Sequence, residues 1–318
     1  MTAPAEATLQ VVTAPHDTLL RDAARRFVHH RLAVLGATML ALVFLIAIVG
    51  PFLLPDPYFI SLTAFTLPPD AAHILGTDLS GRDVAARVAT GARTSLIVGF
   101  GAVAVYVAIG LTIGLVAGFL GRASIGVEFR VPGTRHRVSL KISIDQLLMR
   151  FTDIIMSIPT LLLIIVFVSV VGPSLESVIA IIGLLGWPPT ARILRGQVLA
   201  LRDSEYVTAA RVGGASDWSI LIRHVLPNIF GPLTVLATFG VAQAILREAT
   251  LSFLGLGVQP PQPSLGNMIY EAQDSNVLLQ VPWLWLSPGI VIALTVLAVN
   301  FVGDGLRDAL DPRSSRRR

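Results

Sequence analysis

The sequence predicts an all-α polytopic membrane protein of six transmembrane helices with both termini in the cytoplasm, and three observations carry that prediction. First, 53% of the 318 residues are hydrophobic and only 14% are charged. A soluble chain carries about a quarter charged residues and could not hide so many apolar side chains. Second, apolar windows of the roughly 20 residues needed to cross about 30 Å of hydrocarbon recur along the chain. Third, the basic residues crowd into alternate loops, as cytoplasmic segments do. Cys is absent, which excludes disulfide scaffolds, thiolate zinc sites and cysteine nucleophiles together.

The polar first 26 residues lack the basic, apolar and small-residue layout of a signal peptide. Residues 1–32 therefore read as a cytoplasmic segment, and the first span, Ala33 to Leu54, as an uncleaved anchor. Segment 55–93 is extracytoplasmic. Pro57, Pro68 and Pro69 argue against a continuous helix there, and Asp78 or Ser80 is expected to cap the helix leading into the second span, Ser95 to Leu120. The third span is expected from Ile154 to Val171 and the fourth from Val178 to Leu194, kinked where Pro188 and Pro189 interrupt it. The fifth runs from Ile229 to Leu246, after which Arg247 and Glu248 break an apolar stretch that continues to Val258. Trp283 and Trp285 open the sixth span, which ends at Val302, in the position of an interfacial aromatic belt. Residues 33–303 read as one membrane domain without internal repeat, and 304–318 as a basic cytoplasmic tail.

Orientation follows from the arginines. With the N-terminus inside, the inner segments hold 20 of the 24 basic residues. They are Arg21, Arg25, Arg26 and Arg31; then Arg122, Arg130, Arg135, Arg137, Lys141 and Arg150; then Arg192, Arg195, Arg202, Arg211 and Arg223; and finally Arg307, Arg313, Arg316, Arg317 and Arg318. Only Arg82, Arg87 and Arg93 lie outside, with Arg247 at the end of the fifth span. The opposite topology inverts this ratio and is rejected.

Covalent chemistry finds little support. A P-loop needs a Gly-rich turn followed by Lys and Ser or Thr, whereas the single lysine, Lys141, is flanked by Leu140 and Ile142. Intramembrane proteolysis needs a positioned Ser with a base or a pair of membrane aspartates, and Asp304 has no such companion within a span. His29 and His30 are the one adjacent histidine pair, beside Arg31 at the membrane edge, where an ordinary interfacial position outweighs a metal site. The chain moves or anchors something.

The most informative segment is the cytoplasmic loop 203–228. Asp203 or Ser204 can cap a short helix containing Glu205, Tyr206, Ala209 and Ala210; Gly213 and Gly214 supply a turn before Ala215; Ser216 or Asp217 can cap a second helix ending before Leu226 and Pro227. The small Ala209 and Ala210 leave a thin face that a partner's groove can approach, and Trp218, Ile220 and Leu221 give the second helix an apolar side. A DNA-binding helix-turn-helix shares this outline. Tethering by spans at both ends, and the scarcity of base-reading side chains from Ser216 to His224, argue against nucleic acid as a partner.

This loop resembles the EAA loop of ABC-importer permeases: Glu-Ala-Ala, three residues, Gly, nine residues, Ile, one residue, Leu-Pro. Ala209, Ala210, Gly214, Leu226 and Pro227 match at the required spacing, while Thr208 stands for Glu and His224 for Ile. The likeness extends over residues 30–313. Leu75 to Asp78, Gly81 to Asp83, Gly91 to Arg93, Leu251 to Pro261, Gly266 to Met268 and Gly303 to Pro312 all resemble the C-type permease subunit of dipeptide and oligopeptide ABC importers. The resemblance implies a multi-pass permease of a prokaryotic cell membrane, carrying small peptides inward. It implies a heterodimer with a second permease subunit, one or two ATP-binding subunits that hold ATP and Mg, an extracytoplasmic substrate-binding protein, and no cofactor in this chain. Nickel chelates, glutathione or another small solute would suit the same machinery. A stand-alone channel or ion-coupled carrier would have no use for the EAA-like loop.

Two features stand apart from the resemblance. Within the basic cytoplasmic segment 121–145, Ala123 to Ile142 adds roughly twenty residues where the family has a short turn, and a solvated loop, contact with anionic lipid and an extra contact with the ATPase are the alternatives. Arg247 and Glu248 are candidate pathway residues that could meet the charged termini of a peptide, or interfacial groups that snorkel or pair across subunits. Being adjacent, they point about 100° apart on a helix and do not pair with each other.

Overall fold

The computed structural model describes residues 19–121, 124–130 and 137–310, with side chains described over 23–121 and 143–310. Arg122, Arg135, Arg313 and Arg316 to Arg318 of the orientation argument, and most of the basic tail, lie outside the described residues. Among those described, all but one hairpin of the regular structure is helical. Five helices are long and apolar enough to cross a membrane, or six if one bent pair forms a single span.

A short helix α1 (Leu19–His29) precedes α2 (Arg31–Leu53), the first span. The His30 side chain accepts from the Ala33 amide and so caps α2, while its Nε2 lies 3.4 Å from the Asp308 carboxylate; His29 Nδ1 meets the Arg25 carbonyl at 2.7 Å. The two histidines are thus engaged separately. The buried positions of α2 are the small or slender Ala33, Gly36, Val43 and Ala47, whereas Leu42, Leu45 and Ile48 are exposed. That distribution fits a helix solvated by lipid and packed through one narrow stripe.

Segment 55–83 is non-helical and returns to α3 (Val84–Leu115), which runs on through a π turn, Val116–Leu120, as a 37-residue span. The expectation for its cap is corrected. Asp83 accepts from Ala86 N–H at 2.8 Å and caps α3, while Asp78 accepts from the Ser80 and Arg82 amides and from arginine side chains. The residue adjoining the helix takes the cap, and Asp78 lies five positions too early.

The basic insertion folds as an antiparallel hairpin of β1 (Ser124–Arg130) and β2 (Arg137–Ser143), pairing Ile125 with Ile142, Val127 with Leu140 and Phe129 with Val138. These apolar pairs alternate with the polar ones along the ladder. Ser143 then opens a reciprocal capping box with Gln146 at the start of α4 (Ile144–Ser157).

The expected third span is not one straight helix. α4 and α5 (Thr160–Val171) meet at 83° across Ile158 and Pro159. Proline offers no amide to the ladder and drives the preceding residue out of the helical region, here to φ −100° and ψ 133° at Ile158. At 12 residues, α5 alone spans only about 18 Å. The Asp145 and Asp153 carboxylates of α4 pair with Arg195 and Arg192, so the inner start of this element is tied to the next helix.

That helix, α6 (Leu175–Arg202), keeps Pro188 and Pro189 inside one continuous element, longer at both ends than the expected Val178 to Leu194. It packs along α3 at near backbone contact. A Cβ placed on Gly110, Gly114, Gly118 or Gly183 would come within 3.0 Å of Thr190, Leu194, Val198 or Val105. The last long helices are α9 (Leu226–Phe253) and α12 (Trp283–Leu310), bridged by the short α10 (Leu265–Glu271) and α11 (Ser275–Gln280). α9 does not stop at Arg247 and Glu248, because both residues are good helix formers.

Candidate functional site

The loop after α6 forms α7 (Glu205–Val212), a glycine turn, and α8 (Asp217–Ile220). Ser204 holds the N-cap position of α7, though its hydroxyl donates to Leu201 O at 2.6 Å, and Ser216 accepts from Ser219 N–H to cap α8. The expected helix ending before Pro227 is corrected. α8 passes through a π turn, Leu221–Val225, directly into α9, making one element from Asp217 to Phe253. Pro227 sits where the π turn passes into α9, and its missing amide falls at that change of hydrogen-bond register.

The turn is closed by three backbone bonds: Gly213 N–H to Ala209 O, Gly214 N–H to Arg211 O, and Ala215 N–H to Ala210 O. Gly214 adopts φ +84° with open space where a Cβ would stand, so its requirement is conformational. The motif is seated by residues that the motif itself does not contain. Val207, Ile220, Leu221 and Val225 are buried with Phe119, Val198 and Ile229, with Ala210, Ala215 and Leu226 packed at the margin. Arg202 Nη1 also donates to Gly118 O at 2.9 Å, and Tyr206 lies 6.4 Å from the His224 ring. In sequence, Val207 and Ile220 are recognisable only as apolar residues on the inner faces of two short helices.

What remains outside is uncovered. Glu205, Tyr206, Ala209, Gly213, Gly214 and Pro227 are exposed, Val212 is 85% exposed and Trp218 69%. A polar loop tip carrying two large bare apolar side chains has the character of a contact surface.

At the opposite end of the bundle, Arg87 is 2% exposed. Its guanidinium donates to Asp78 Oδ2 and Glu271 Oε1, both at 2.8 Å, and Arg82 bonds the same two acids at 2.6 and 3.1 Å. This four-membered network ties segment 55–83 to α3 and α10. Burial pushes the Glu271 carboxyl above the usual range, against the pull of Arg82. Nothing local in the sequence foretells a pairing across 184 positions.

Arg247 and Glu248 part company. Glu248 is fully buried between α3 and α9. It accepts from Ser95 Oγ at 2.9 Å and Ser252 Oγ at 2.7 Å, and Ser264 Oγ adds to the chain by donating to Ser252 Oγ at 3.2 Å. Asn267 fastens the adjoining turn to Val258 O and Gln262 O. Glu248 thus binds helices together. Arg247 is half-buried and makes no hydrogen bond or ion pair among the described residues.

Residues 133–316 match the family described as binding-protein-dependent transport system inner membrane component, and residues 18–69 match the N-terminal transmembrane domain of oligopeptide transport permease C. A Brucella suis protein, provisionally named a peptide permease, is 41% identical over 292 residues, covering 92% of this chain and 90% of its own. The dipeptide transport system permease protein of Alkalihalophilus pseudofirmus is 39% identical over 295 residues, with the same coverage of both chains.

Proposed function

The chain belongs to the binding-protein-dependent transport inner-membrane component family, a transport permease and not an enzyme, and from that premise we propose that it is one permease subunit of an ABC importer for small peptides. Membership makes it a multi-pass inner-membrane protein of a prokaryote that works with partner proteins, an ATPase among them. The finer composition is our reading: a heterodimer with a second permease, one or two ATPase subunits holding ATP and Mg, and an extracytoplasmic binding protein. The chain itself carries no P-loop, so the free energy of hydrolysis has to arrive from another polypeptide. Peptide is the cargo we favour because several relatives are named for it.

The observation that carries this reading is the loop from Glu205 to Pro227, bare at its tip and seated on the ends of three spans. In our reading 33–303 is the permease domain, with 1–32, the hairpin within 121–145, the loop 203–228 and the tail 304–318 on the cytoplasmic side. α7, with Ala209, Ala210 and Gly214, lies in a groove of the ATPase. Closure of the ATPase dimer presses on α7, and because Val207 and Ile220 pack against Phe119 and Val198, the push reaches α3, α6 and α9 together and rocks the pathway between its two openings.

The test is reconstitution with all candidate partners in vesicles. We expect ATP-dependent accumulation of a labelled dipeptide and retention of the ATPase subunit on this chain in mild detergent. Uptake by this chain alone would refute the division of labour; an assembled, hydrolysing complex that moves nickel chelate or glutathione but no peptide would refute the cargo.

A further inference from the structure

We infer that Arg247, with Gln243 and Thr250, forms an anion-binding position on the wall of the translocation route, suited to the terminal carboxylate of a peptide, and that its neighbour Glu248 takes no part in it. This inference rests on the importer reading for the identity of its ligand, though not for the site itself.

The argument starts from helix geometry. Positions 243, 247 and 250 stand at i, i+4 and i+7 on α9 and share one face. Gln243 and Thr250 are exposed and Arg247 is half-buried, so among the described residues this face of α9 is only partly covered. Glu248, the nearest acid in sequence, is turned about 100° away and held by the Ser95 and Ser252 hydroxyls. Among the described residues, therefore, no acid is paired with the Arg247 guanidinium. It lies six residues inside the end of α9 at Phe253, about 9 Å along the axis.

A guanidinium at that depth, flanked by an amide and a hydroxyl along two helical turns, is poorly matched to hydrocarbon. Ionisable groups within spans characteristically face a bundle interior or a water-filled cavity. Arginine's planar fork, joined by the Gln243 amide, provides the donors that a carboxylate accepts bidentately, while Thr250, whose hydroxyl donates to Leu246 O at 2.8 Å, lines the position with a polar, exposed side chain. By contrast, Ile48 on α2 and Leu184 on α6 present exposed apolar side chains. The Gln243–Arg247–Thr250 stripe is thus a part of the surface suited to water and to an anion.

The natural absence of cysteine makes the test direct. Gln243→Cys and Thr250→Cys are introduced singly into the assembled importer, with Ile48→Cys as the lipid-facing comparison. Each is treated with anionic and cationic methanethiosulfonate reagents, and modification is read on this chain after the subunits are separated. We expect both positions on α9 to react and Ile48→Cys to stay protected. Adding Arg247→Ala should lower the anionic-to-cationic rate ratio at least threefold. Uptake of a dipeptide per ATP hydrolysed should fall at least tenfold in Arg247→Ala and recover to within threefold of the natural chain in Arg247→Lys. Unreactive thiols at 243 and 250, an unchanged rate ratio, or unchanged uptake in Arg247→Ala would overturn the inference. So would loss of the second permease from the purified Arg247→Ala complex, which would make Arg247 an intersubunit ion-pair residue. If the natural complex moves no peptide while the thiols react with the charge bias described, the cargo reading fails and the anion position stands.

Discussion

Replacement of Gly214 separates backbone conformation from crowding in the coupling loop. Gly214 has φ +84°, and no atom lies within 4 Å of the point where a Cβ would stand. Within this chain a side chain there meets nothing, so its cost is the left-handed backbone, about 1–2 kcal/mol for an ordinary L-residue and least for Asn. Gly214→Ala should cost about 1 kcal/mol and lower the population of the closed turn about fivefold; Gly214→Val, at about 2 kcal/mol, should lower it about thirtyfold. Gly214→Asn should remain close to the natural chain. The assay is uptake per ATP hydrolysed in reconstituted vesicles, with binding-protein stimulation of hydrolysis as the companion readout. We expect coupling to decline in the order Asn, Ala, Val. Should Asn fail as badly as Val, the requirement is close approach by the ATPase and the conformational argument is wrong. Should all three transport fully, the loop is not the coupling element.

Three further outcomes follow from the buried groups and the insertion. Glu248→Leu leaves the Ser95 and Ser252 hydroxyls without their acceptor, at about 1–3 kcal/mol, so the thermal midpoint of the purified complex should fall, with Glu248→Gln milder; equal stability in both variants would contradict the clasp. Arg87→Met strips a cation from two acids in a site where it is 2% exposed, a loss of about 3 kcal/mol or more. In the same network Glu271 is raised by burial, so its contribution is fully present below its unfolded pKa and is lost as pH rises through the folded value. Glu271→Gln should flatten that part of the stability profile measured from pH 4 upward, and an unaltered profile would count against it. Deleting Ser124 to Lys141 should leave binding-protein-stimulated hydrolysis unchanged if the hairpin serves only the lipid or solvent; a loss would assign it an ATPase contact.

Much of the architecture was legible because a membrane span announces itself through composition alone. Where the reading went astray, a short-range competitor intervened. Hydropathy cannot see that Pro159 forces Ile158 out of the helix, so Ile154 to Val171 reads as one span while the chain bends there by 83°. Asp78 and Asp83 are equally good caps on paper, and only the adjoining residue can reach the first free amides. Pro188 and Pro189 look like a break, but α6 is held against α3 along its length and continues through them. The loop motif was visible at its tip, in Ala209, Ala210 and Gly214, whereas its foundation was not. Val207 and Phe119 lie 88 positions apart in the chain, and no local pattern joins them. Arg247 and Glu248 show the same limit: adjacent and both charged, they could be separated in direction by the helix period, but which of them met a partner depended on serines up to 153 residues away.

That distribution bears on how force can travel through the molecule. Between lipid-solvated helices there is little hydrophobic drive to association, so close packing of small residues has to hold them. Here Gly110, Gly114, Gly118 and Gly183 bring α3 and α6 to separations that exclude even a methyl group. A pair packed so tightly cannot slide by fractions of a residue without collision, and it therefore moves as a unit. The Arg202 bond to Gly118 O pins the ends of α6 and α3 together beside α7, whose Val207 packs with Phe119 and Val198 of that unit, and Glu248 joins α3 to α9 toward the opposite end. A displacement applied at α7 has no soft layer in which to dissipate before it reaches the Arg247 face. Substituting Gly114 by Leu should consequently impair uptake more than it impairs hydrolysis, because it loosens the link between loop and pathway while leaving the loop tip untouched. Equal losses in both would mean that α3 and α6 do not transmit the stroke.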